Sequence, residues 1–322
     1  MASNDNPQQD PEKSQEWQQD LINRLAFAAL NEQRRTRRWG IFFKFMIFAY
    51  LIVILFLYTP RMDLDPGAHA RHTALVEIEG IIAADAAANA EDIITGLREA
   101  FENENAAGVI LHINSPGGSP VQSGYIHDEI QRLRAKYPEK PLYAVIGDVC
   151  ASGGYYVAVA ADQVYADKAS IVGSIGVRMD GFGFVDAMDK LGIERRLITA
   201  GENKGFLDPF RPIKESDVEH VQTLLADIHQ QFINVVKAGR GERLKDDPNL
   251  FSGYIWTGEQ AIGLGLVDAL GSSAQVARDV IGAETIVDYT PAESLLERFS
   301  KGFGTSLGHG ISERLSGGPL LR

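Results

Sequence analysis

The chain has 322 residues, a net charge of −12, 45% hydrophobic residues and 23% charged residues. That composition is globular and argues against wholesale disorder or a fibrous repeat, and the acidic balance argues against a nucleic-acid partner, which would call for a basic stripe. The single cysteine, Cys150, rules out an intrachain disulfide and a Cys-based zinc site.

Residues 1–20 are polar and rich in Gln, Asn and Asp, the composition of a disordered segment. Residues 21–30 suit a short surface helix leading to Arg34, Arg35, Arg37 and Arg38. Residues 41–58, IFFKFMIFAYLIVILFLY, are apolar except for Lys44 and as a helix would span roughly 27 Å, close to a bilayer core. Lys44 stands one turn inside, where its stem can reach the headgroups. The arginines before the run, against Arg61, Asp63 and Asp65 after it, put the N-terminus in the cytoplasm and the remainder outside. A cleaved signal peptide is the rival, but its charged region would be unusually long and Tyr58-Thr59-Pro60-Arg61 is a poor cleavage site. The expected organisation is therefore a polar tail with a basic flank (1–38), a transmembrane anchor (39–58), a linker (59–72), an outer domain (73–290) and a C-terminal tail (291–322).

Strand and helix patterns alternate from Thr73 onward. Residues 73–79 place Val76 and Ile78 on one face of a half-buried strand. Asn89 can cap a helix whose apolar face is Ile93, Ile94, Leu97 and Phe101. Residues 108–113 read as a buried strand, followed by the loop 114–120 and a helix carrying Ile126, Ile130 and Leu133. Residues 142–146 read as a second buried strand, running into a glycine-rich turn over 147–154 and an apolar helix over 155–161. Further strands fit 163–166 and 196–199, and a long helix fits 216–238. This alternation indicates an α/β domain with a largely parallel sheet, whose ligands bind beyond the C-terminal ends of the strands. Both glycine-rich turns fall there.

Ser152, in Cys150-Ala151-Ser152-Gly153-Gly154, sits where a strand turns into a helix. That geometry exposes a hydroxyl and aims backbone N–H groups at the same point; the alternative is an ordinary N-cap serine. A nucleophilic serine needs a base. His112 and His127 read as structural, His220 and His229 lie on the long helix, His69 and His72 in the linker and His309 in the tail. Lysine is the other choice, with Lys204, Lys168 and Lys214 as candidates. A lysine acts as a base only when neutral, which requires burial. Lowering its pKa from about 10.4 to about 7.5 corresponds to roughly 4 kcal/mol. Cys150, as a buried lone thiol, is the weaker nucleophile candidate.

Four motifs in order, NSPGG (114–118), ASGGYY (151–156), SIVGSIGV (170–177) and WTGEQAIGLGLVD (256–268), resemble the S49 family of serine peptidases. The likeness is to the signal peptide peptidase A and SohB type in its short single-repeat form, over about residues 73–285. The resemblance implies a ClpP/crotonase-like fold preceded by one transmembrane helix. It also implies a Ser–Lys dyad of Ser152 and Lys204, with Ser174 orienting the lysine. Gly117 and Gly118 match the loop that would supply one oxyanion donor, with the Ser152 N–H as the other. It further implies no metal or cofactor, and a homo-oligomeric ring in which serine and lysine can come from neighbouring protomers. The substrates would be remnant signal peptides or other apolar segments at the extracytoplasmic face of a bacterial inner membrane. A quality-control protease of membrane proteins and a crotonase-type acyl-CoA enzyme are the alternatives.

Overall fold

The computed structural model describes residues 11–58 and 70–291, which fall into two units. The first is one helix, α1 (Pro11–Tyr58). Residues 11–20, whose composition suggested disorder, are helical. Pro11 suits the first turn, and the Glu, Lys and Gln that follow are good helix formers with no glycine among them. Farther along, Ile41, Phe45, Phe48 and Leu51 are all exposed. Among the described residues no helix is long and apolar enough to cross a membrane. The side chains of 55–58, which complete the expected span, lie outside those described, as do most of the linker and residues 292–322 of the tail.

The second unit is a mixed α/β domain, in agreement with the expected ClpP/crotonase-like class. Its strands are β1 (His72–Glu79), β2 (Ala106–Ser115), β3 (Leu142–Ala151), β4 (Gln163–Ala166), β5 (Ile171–Gly173), β6 (Ile255–Thr257), β7 (Ala269–Leu270) and β8 (Ile286–Asp288). They form one eight-stranded sheet in the order β6-β5-β3-β2-β1-β8, with β4 pairing β3 and β7. All pairs are parallel except β5 with β6. Two-sided burial explains the continuous apolar runs of β2 and β3: Val109, Ile110, Leu111, Ile113, Leu142 and Ala144 are all fully buried.

The helices α2 (Ala90–Glu102) and α3 (Pro120–Lys136) follow the expected stripes. The Asn89 side chain accepts from Asp92 N–H, and α2 buries Ile93, Leu97 and Phe101. Ser119 caps α3, which has Pro120 in its first turn and buries Ile126, Ile130 and Leu133. The short α4 (Gly153–Ala158) follows β3, α5 (Val185–Leu191) lies in an open segment, and α6 (Glu215–Arg240) is the expected long helix. A buried ion pair ties its end to the core: Arg240 is 1% exposed and bonds both carboxylate oxygens of Asp268, at 2.7 and 2.9 Å, and Gly265 O at 2.8 Å.

Two expectations are corrected. The turn expected over 147–154 is mostly strand, because Val149, Cys150 and Ala151 pair with Ile171, Val172 and Gly173 of β5. The first half of β3 pairs instead with β4, so the strand serves two neighbours in succession, with a register shift against β2 near Ser115. The strand expected at 196–199 is absent; these residues lie without regular structure in the segment between α5 and α6. Leu197 and Ile198 find no sheet edge to join.

Candidate active site

Three neighbouring strands, β5, β3 and β2, lie side by side, and the segments that follow their ends border a cleft of about 740 Å³. Ser152, Ser174, Gly117 and Gly118 all line it, so four of the five expected site residues come together. Ser152 forms the whole turn between β3 and α4. Its φ of 51° and ψ of −122° lie in a region costly for any residue but glycine, by about 1–3 kcal/mol. Strain of this kind at a strand-to-helix turn lifts a nucleophile out of the sheet. The Ser152 side chain makes no cap hydrogen bond to α4, so the N-cap reading fails. Ser174 is also left-handed, with φ of 53°, and is pinned by its N–H to Tyr254 O at 2.7 Å.

The glycine loop is clamped from both sides. Ile82 N–H donates to Gly117 O at 3.0 Å and Ser119 N–H donates to Ile82 O at 2.8 Å. Gly117 has φ of +97°, and a Cβ there would stand 2.7 Å from Ser152 Cβ and 2.6 Å from Gly153 N. Only glycine allows this loop to lie against Ser152.

Backbone accounting changes the expected oxyanion donors. The Ser152 N–H is spent on Gly173 O at 2.8 Å, and the Gly117 N–H on Ser115 Oγ at 3.1 Å. Among the described residues no acceptor is found for the N–H of Gly118 or of Gly153. Both glycines line the cleft, so the two unengaged donors are one from each loop. Gly153 was missed in the sequence, although the first residue of a helix following a nucleophile carries an orphan N–H by construction.

Ile81, Tyr156, Val177, Ile228 and Phe232 supply apolar wall, with Arg178 and Asp180 at one side. The Tyr156 ring lies 5.3 Å from that of Phe232 and 5.4 Å from that of His127, and burial raises its phenol pKa. No histidine is among the lining residues. His229 uses Nε2 to reach Ile175 O at 3.1 Å and is partly buried rather than fully solvated. His112 lies on β2 with Nδ1 3.7 Å from the Glu77 carboxylate. Cys150 is fully buried, and burial pushes its thiol pKa up, against a nucleophilic role.

The structure does not bring Lys204 into the cleft lining. Lys204 is exposed, as are Lys168 and Lys214. It stands in the segment between β5 and α6, where Phe182, Leu191, Ile193, Ile198 and Ile213 are also exposed, Ile198 at 96%. Phe206, two residues on, packs its ring 5.6 Å from that of His220. Within one chain the lysine therefore lacks the burial that would make it a base.

The sequence profile of Peptidase family S49 matches residues 134–283, a range holding Ser152, Ser174 and Lys204. A Brucella melitensis protein named as the Na(+)/H(+) antiporter NhaA is 45% identical over 213 residues, 66% of this chain but 29% of that longer protein. The chain thus spans under a third of that relative. A protein of Enterococcus faecium named as a signal peptide peptidase SppA is 29% identical over 259 residues, covering 78% of this chain and 74% of the relative. A Methanocaldococcus jannaschii protein named as a protease is 33% identical over 222 residues, covering 67% of this chain and 70% of the relative. A strand-to-helix serine, a clamped glycine loop and this breadth of similarity converge: the chain belongs to peptidase family S49.

Proposed function

We propose that this protein is a serine endopeptidase in which Ser152 is the nucleophile and Lys204, supplied by a neighbouring copy, is the base. The observation that carries the reading is the pairing, in one cleft, of a strained serine without a side-chain cap bond and two unengaged N–H groups, on Gly118 and Gly153. Neutral Lys204 takes the Ser152 proton as Oγ bonds the substrate carbonyl carbon. The carbonyl electron pair moves to oxygen, where the two N–H groups hold it. Lys204 then gives its proton to the leaving amine as the C–N bond breaks, and water repeats the sequence on the acyl-enzyme. Ser174, at the rim of the same cleft, orients the lysine by hydrogen bonding.

The need for a second copy follows from the exposure of Lys204. A lysine base must lose its water, and among the described residues of one chain nothing covers Lys204. The exposed apolar residues around Lys204 suit a contact with the next protomer of a homo-oligomeric ring, which would bury both them and the amine. The apolar wall of the cleft favours apolar peptide segments. With an anchor at 39–58, these would be remnant signal peptides met at the extracytoplasmic face of a bacterial inner membrane, the N-terminus being cytoplasmic. Membership of S49 favours this peptidase over the acyl-CoA reading.

The test is complementation. Ser152→Ala and Lys204→Ala proteins, each inactive alone, are dissociated, mixed in equal amounts and reassembled. If each site takes its serine from one protomer and its lysine from the next around a ring, about one interface in four is intact, so about a quarter of wild-type turnover returns. No return of activity, with mixed assembly verified by mass, would refute a dyad shared between protomers. Full activity of Lys204→Ala alone would remove Lys204 as the base.

A further inference from the structure

Ser123 stands one turn into α3, behind the Ser119 cap. A helical serine ordinarily settles its hydroxyl on the carbonyl one turn back. Here that carbonyl, Ser119 O, accepts from Ser123 N–H at 3.1 Å, and the hydroxyl makes no bond at all. Ser123 is fully buried, and among the described residues its Oγ is the one buried side-chain polar atom without a hydrogen-bond partner. An unpaired buried hydroxyl costs stability, so its retention calls for a use.

The Gly153 backbone packs against it with no room for a side chain. A Cβ on Gly153 would stand 2.5 Å from Ser123 Oγ and 3.2 Å from Gly118 N. The hydroxyl and the unengaged Gly118 N–H thus border one point, next to the residue that follows the nucleophile. Ser123, Gly118, Gly153 and Ser152 all line the same cleft. A side chain at 153 would collide with the hydroxyl where it now stands.

We propose that Ser123 is a further catalytic residue, whose hydroxyl donates a third hydrogen bond to the scissile carbonyl oxygen as that oxygen becomes negative. Ser152 Oγ bonds the carbonyl carbon and the π pair moves to oxygen. Ser123 keeps its proton throughout and lends only a hydrogen bond, released when the C=O bond re-forms and the amine leaves. The inference rests on the peptidase reading of this cleft and adds to it a side-chain donor where only backbone donors were in view.

The test compares the full-length, assembled wild type with Ser123→Ala and Ser152→Ala. Three quantities are read: steady-state peptide turnover, affinity for a peptide aldehyde whose hemiacetal oxygen would occupy the same hole, and thermal midpoint. Ser123→Ala is expected to lower kcat by about 10- to 100-fold with KM little changed, and to weaken the aldehyde in parallel. Its thermal midpoint should be equal to or above the wild type, because the substitution removes an unpaired buried hydroxyl. A purely structural serine would give the opposite pattern, a lowered midpoint with kcat retained. Turnover within twofold of wild type, or a loss of kcat that aldehyde affinity does not follow, overturns the proposal while leaving the peptidase reading intact. Wild-type turnover no greater than that of Ser152→Ala would instead overturn the peptidase reading, and this inference with it.

Discussion

Replacing Gly117 by alanine puts a methyl group against Ser152, the proposed nucleophile. The new carbon would meet Gly153 N at 2.6 Å and both Ala151 O and Ser152 Cβ at 2.7 Å, whereas ordinary contact begins at 3.4 Å. These neighbours are backbone atoms and the root of the nucleophile, so none can swing aside as a flexible side chain would. The gap must open by about 0.7 Å, and the loop cannot supply this freely because Ile82 holds it from the other side. The φ of +97° adds backbone strain of about 1–3 kcal/mol, and overpacking adds about 1–3 kcal/mol more. A total of about 2–6 kcal/mol leaves a domain of ordinary stability weakened but folded. Activity suffers more than folding, since displacing a reacting atom by something near 1 Å costs on the order of 100-fold. The assay pairs urea unfolding with peptide turnover, using Gly124→Ala as the control. Gly124 lies in α3 with nothing within 4 Å of its would-be Cβ, so that variant is expected to gain about 0.5–1 kcal/mol and keep its activity. Gly117→Ala protein with wild-type turnover and an unchanged urea midpoint would refute the account of the loop.

Two further outcomes follow from buried charge. Arg240→Ala removes the partner of Asp268, whose carboxyl, against the opposing effect of burial, is held below the usual range by the Arg240 hydrogen bonds. The loss should be about 3–5 kcal/mol by chemical denaturation, and a loss under about 1 kcal/mol would show that the pair contributes little. Glu129 is held at about 2, below its ordinary 4.5, by hydrogen bonding from Arg132, opposed by burial and aided by Arg98. Because this pKa is depressed, its stabilisation is complete above about 4.5 and is lost as pH falls through about 2. Both arginines are about half exposed, so solvent reduces the contribution to about 1–2 kcal/mol. Urea unfolding at neutral and acid pH should show the wild type losing that much more than Glu129→Gln over this window; equal pH dependence of the two proteins would refute the assignment.

Much of the domain was legible along the chain. Hydrophobic patterning placed β1, β2, α2, α3 and α6, and the Asn89 cap marked where α2 begins, because these signals depend on residues within one or two turns. Ser152 could be singled out because a serine followed by two glycines between an apolar strand and an apolar helix is itself a local pattern. The extension of β3 through Ala151 could not be read, since it depends on β5 arriving alongside. Nor could the missing strand at 196–199, where a suitable sequence meets no edge.

The chemistry of the site was divided in the same way. Local sequence singled out Ser152 as a candidate nucleophile, together with the glycines that let a loop approach it. Tertiary structure alone decided which N–H groups remain free, because the acceptor that engages Ser152 N–H is Gly173 O on a separate strand, and the one that engages Gly117 N–H is the Ser115 hydroxyl turned inward. It alone set Lys204 in water and buried the Ser123 hydroxyl without a partner. A residue type states what a group is able to donate or accept; whether that capacity is already used depends on which distant segment folds against it.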